Sequence, residues 1–89
     1  MHELSVAMSL VDTICEELPQ LGEVSVRSVR IRVGALSGVS MEALMFAFDV
    51  AADGTPIAGA RLIVEAASGR ELDLTAVEVW DEHAHRGSA

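Results

Sequence analysis

The chain has 89 residues, with 14 acidic side chains against 6 basic ones and a single cysteine. A net charge of −8 excludes the basic surface that nucleic-acid binding requires, and one cysteine excludes both an internal disulfide and a zinc site built from CxxC pairs. An apolar content of 51% supports one small packed domain, and an aromatic content of 3% makes its core mostly aliphatic.

Met1-His2-Glu3 places no basic region before an apolar run, so the start does not read as a signal peptide. Glu3 to Leu18 reads as an amphipathic helix, because Leu4, Ala7, Met8, Val11, Ile14, Cys15 and Leu18 recur at helical spacing. Pro19 and Gly22 are expected to end it. Cys15, Met8, Met41 and Met45 read as core-filling side chains rather than reactive thiol or thioether ligands.

Glu23 to Gly34 reads as a strand whose apolar phase changes between Val24-Val26 and Val29-Ile31-Val33. A bulge or a late strand start near Arg27-Ser28 reconciles the two halves. Gly34 to Gly38 is a turn without the lysine or the length of a phosphate-binding loop. Ser40 then caps a second helix with the stripe Met41, Leu44, Met45, Phe48 and Ala52, which Asp53-Gly54-Thr55-Pro56 stops. The longest apolar stretch, 43–52, is broken by Asp49 and is far too short for a membrane span. The expectation is therefore a soluble protein of the cytoplasm.

Ala60 to Ala66 and Glu71 to Trp80 read as strands, and the short link between them predicts a β-hairpin. The expected class is α/β (α+β): a two-layer domain in the order α-β-α-β-β, with two helices on one three-stranded mixed sheet. Residues 1–80 form the single domain on this reading, followed by a polar, flexible tail over 81–89. An exposed edge, either the last strand or Val24-Val26, would permit a homo-oligomer.

The sequence offers little for catalysis. It has no tyrosine, its 6 basic residues are all arginine, and no Ser-His-Asp arrangement can be assembled, so an enzyme is not expected. His83 and His85 share one side of an extended segment and can pair on a metal or simply be solvated. His2 has a more specific chemistry. A free Met1 amine, the His2 amide and the His2 imidazole close fused chelate rings, and the Glu3 amide completes a plane of four nitrogens. That set suits Ni(II) or Cu(II) rather than tetrahedral zinc.

The opening Met1-His2-Glu3-Leu4-Ser5 resembles the start of the HypA/HybF family of hydrogenase nickel-incorporation proteins. Gly34-Ala35-Leu36-Ser37-Gly38-Val39, Phe46-Ala47-Phe48-Asp49-Val50, Gly59-Ala60-Arg61-Leu62 and Ser68-Gly69-Arg70-Glu71-Leu72 follow its pattern in order. The resemblance implies a nickel metallochaperone whose metal site is Met1, His2 and Glu3. It also implies a nickel-inserting GTPase, the large subunit of [NiFe] hydrogenase and urease accessory proteins as partners. Members carry a zinc subdomain with two CxxC pairs between the last two strands. Here Glu65-Ala66-Ala67-Ser68-Gly69 runs directly onward, so Ni(II) is expected and zinc is not. The rival reading is an interaction module of hydrogenase maturation that kept the fold without binding metal.

Overall fold

The computed structural model describes residues 2–22 and 24–81. In chain order these form α1 (His2–Leu21), β1 (Val24–Gly34), α2 (Met41–Ala52), β2 (Arg61–Ala67) and β3 (Leu72–Asp81). Two helices lie on one three-stranded mixed sheet, the two-layer α+β arrangement that the pattern of periods predicts. His83, His85 and most of the expected tail lie outside the described residues.

Helix α1 runs one turn past the expected stop. Pro19 sits inside its last turn, and Gly22, at φ +83°, is the residue that turns the chain away. A proline near a helix end forfeits only one amide, whereas a positive φ terminates the repeat outright. Ala7, Val11 and Ile14 are buried against the sheet, with Leu10, Cys15 and Leu18 half-buried beside them. Cys15 is thus at the core's margin rather than within it.

Strand β1 is the centre of the sheet, in the order β2-β1-β3. It pairs in parallel with β2, through a crossover that carries α2, and antiparallel with β3. The predicted β2–β3 hairpin is therefore wrong. The two strands lie on opposite edges of β1, and residues 68–71 step across its end. Gly34 makes that step possible, since a Cβ there would stand 2.1 Å from the Gly69 carbonyl oxygen. The crossing is fastened by the amides of Gly34, Ala35 and Leu36, which donate to the carbonyls of Glu71, Ala67 and Gly69 at 2.8, 2.9 and 2.7 Å.

The expected bulge is present. The β1–β3 register shifts between Val26 and Ser28, leaving Arg27 as the extra residue. A second shift, between Arg30 and Ile31, skips Thr75 on β3, whose hydroxyl donates to the Arg30 carbonyl at 3.1 Å. These two shifts keep Val29, Ile31, Val33 and Val77 toward the helices, while Arg30 and Arg32 face the open side of the sheet.

Helix α2 starts as expected: the Ser40 hydroxyl accepts from the Ala43 amide at 3.3 Å. Its buried face is Leu44, Ala47, Phe48 and Ala52. The methionines contradict the sequence reading. Met8, Met41 and Met45 are 52, 42 and 47% exposed, because each lies on the flank of its helix rather than at the centre of the buried stripe. Ile57 takes core volume instead, from the loop between α2 and β2, at 1% exposure.

Candidate metal centre

Helix α1 begins at His2, so the proposed ligand run and the first helical turn are the same residues. The first amides of an α-helix have no intrahelical acceptor. The N–H groups of His2 and Glu3 can therefore lose their protons to a metal without breaking the helical ladder. The positive end of the helix dipole opposes a bare cation there, but two deprotonated amides cancel the charge of a divalent ion. Met1 itself lies outside the described residues.

Glu3 is half-buried, and its Oε2 accepts from the Ser40 amide at 3.0 Å. This bond, followed by one to Glu3's own amide, holds the Glu3 carboxyl below the usual carboxylate range. The contact has a local logic. In a capping box, an acid three residues into the helix reaches back to the cap amide. In α2 that position is Ala43, which has no acceptor, and Glu3 of the other helix supplies it. One end of the two-helix layer is thereby tied directly to the first turn of α1.

Glu3's Oε2 is engaged by the Ser40 amide of α2. The segment is also oriented, because Glu3 fixes the start of α1 against the start of α2. Sequence reasoning placed Ser40 as a cap and Glu3 near the metal but did not join them. The absence of an acid at position 43 was the available signal.

Elsewhere the inventory stays thin. Among the described residues, no three His, Cys, Asp or Glu side chains come together in a metal-binding group. No helix of the described residues is long and apolar enough to cross a membrane. The Gly34–Gly38 turn is a geometric connection: Gly38 is at φ +81°, and the Ser37 hydroxyl accepts from the Val39 amide at 3.2 Å.

Residues 1–72 match the family model described as hydrogenase/urease nickel incorporation, metallochaperone, hypA. A hydrogenase maturation factor HypA of Chloroflexus aurantiacus is 46% identical over 65 residues, covering 73% of this chain and 57% of that protein. The HypA of Streptomyces avermitilis is 41% identical over 81 residues, covering 90% of this chain and 62% of that protein. The HypA of Thermomicrobium roseum is 38% identical over 96 residues, covering 99% and 73%. The chain thus spans 57% of the Chloroflexus protein's length and 62% of the Streptomyces protein's. The chain belongs to the HypA family of hydrogenase and urease nickel-incorporation metallochaperones.

Proposed function

We propose that this protein carries Ni(II) at its N-terminus, held by the Met1 amine, the His2 amide and imidazole, and the Glu3 amide, and passes the ion on during [NiFe] hydrogenase maturation. The observation that carries this reading is the start of α1 at His2, which leaves the required amides without helical acceptors. Four nitrogens in a plane favour the d⁸ ion, and each ligand must shed a proton to bind. Nickel is cargo on this reading, and the protein performs no covalent chemistry on it.

Release then needs only the reverse: reprotonation of the amides, or a partner that offers better ligands. The partners that fit are the nickel-inserting GTPase and the hydrogenase large subunit, with urease accessory proteins as further recipients, all in the cytoplasm. Exposed Leu4 and Met8 on α1, and Phe46 and Val50 on α2, give the helical layer apolar surface for such contacts.

Nickel titration of protein with a free native terminus, of the same protein acetylated at Met1, and of His2→Ala tests the assignment. A loss of at least about tenfold in affinity for both altered forms is expected. Equal affinity in all three would overturn the assigned site, and no measurable nickel uptake by the native protein would favour the metal-free interaction module.

A further inference from the structure

The open face of the sheet, away from the helices, carries a feature that the nickel reading does not use. Arg27, Ser28, Gly59, Arg61, Ile63 and Glu78 line a polar pocket of about 330 Å³. It forms where the bulge at Arg27 lies beside the first residue of β2, since Ser28 is in register with both Arg61 and Glu78. Bulges re-aim the side chain they displace. Here the Arg27 guanidinium is held over the Trp80 ring, 4.7 Å from its centroid. Stacking engages the flat face of a guanidinium and leaves its N–H edge for other partners.

Among the described residues, neither Arg27 nor Arg61 has a hydrogen bond or an ion pair. Elsewhere on this face Arg30 pairs with Glu65 at 3.3 Å, while Arg32, like the two pocket arginines, has no ion pair among the described residues. Glu78 offsets part of this positive charge, and its Oε1 accepts from the hydroxyl of Ser28, a residue only 4% exposed. Its Oε2 has no partner among the described residues. The pocket therefore combines two unspent guanidiniums with one fixed acceptor, on a chain whose net charge is −8.

We propose that this pocket binds hydrogen phosphate, an oxyanion that keeps a P–OH near neutral pH. Arg27 and Arg61 would take the charged oxygens, as guanidiniums favour phosphate oxygens in forked geometry. Glu78 Oε2 would accept the P–OH proton. That last contact sets the selectivity: sulfate has the same shape but no proton to give, so it meets a bare carboxylate. Without Glu78 the site would take either anion.

Trp80 makes the test direct, being the sole tryptophan in a chain without tyrosine, with Arg27 on its ring. Emission of the full chain is followed while phosphate, glycerol 3-phosphate, sulfate or chloride is added at constant ionic strength near neutral pH. A saturable change with phosphate is expected, with sulfate and with glycerol 3-phosphate (mostly a dianion without P–OH at this pH) each at least about tenfold weaker and chloride without effect. Arg61→Gln should weaken phosphate about tenfold, and Arg32→Gln, on the same face outside the pocket, should not. Glu78→Gln should bring sulfate up to phosphate, because the amide can donate. Identical responses to all salts, or an Arg61→Gln protein that binds phosphate as before, would overturn the proposal.

Discussion

The carboxylate of Glu3 accepts a hydrogen bond from the backbone amide of Ser40, 3.0 Å away and 37 residues along the chain. It joins the first turn of α1 to the N-cap of α2 and completes a capping arrangement that α2 lacks an acid to make for itself. Replacing Glu3 by Ala should leave the Ser40 amide unprotected in hydrogen exchange, while Glu3→Gln, which keeps an acceptor oxygen, should preserve most of the protection. Equal exchange in all three proteins would mean that the bond does not form in solution.

The same contact predicts an acid response. A carboxyl whose folded pKa is depressed stabilises the fold where it is ionised, so its contribution is present above the ordinary value of 4.5 and is lost as pH falls through the lower folded value. Between neutrality and about pH 5 it should be flat. Glu3→Gln should therefore lose the acid-side dependence that belongs to this group, which parallel thermal melts from neutral to acidic pH would show.

Gly34 is required by the chain's passage over the end of β1. Gly34→Ala places a methyl 2.1 Å from the Gly69 carbonyl oxygen, so backbone must move. A destabilisation of about 1–3 kcal/mol is expected in denaturant titration. Gly38→Ala, where added carbon meets nothing within 4 Å but φ is +81°, tests conformational strain by itself.

Core and surface should separate cleanly in the two helices. Leu44 is fully buried, and Leu44→Ala should cost about 2–5 kcal/mol. Met8→Gln and Met45→Gln, on exposed flanks, should stay within about 0.5 kcal/mol of the parent. A large loss at either methionine would show that the helices are rotated from their position here.

The sequence was most legible where one periodicity acted alone. The order of elements, the N-cap at Ser40 and the bulge at Arg27 all follow from local pattern, and the structure has each of them. It was least legible where distant segments decide. A short link between strands normally closes a hairpin, and only the competition of β3 for the free edge of β1 sends residues 68–71 across instead. Hydrophobicity also misplaced the methionines, since Met41 and Met45 continue the apolar stripe by spacing but lie beyond its buried arc. Ile57 was invisible because a loop has no period. At the N-terminus the sequence pointed to Met1, His2 and Glu3 as ligands. The commitment of the Glu3 carboxylate to Ser40 was not legible, because it depends on α1 and α2 starting at the same end of the layer.

The N-terminal nickel site is tested most directly by isothermal titration of Ni(II) into protein bearing its own free Met1 amine, repeated across a pH series and after acetylation of that amine. One ion per chain is predicted, with affinity that rises steeply with pH as imidazole, amine and amides release protons, and with acetylation costing at least about tenfold. Unchanged binding after acetylation, or an affinity indifferent to pH, would contradict the account.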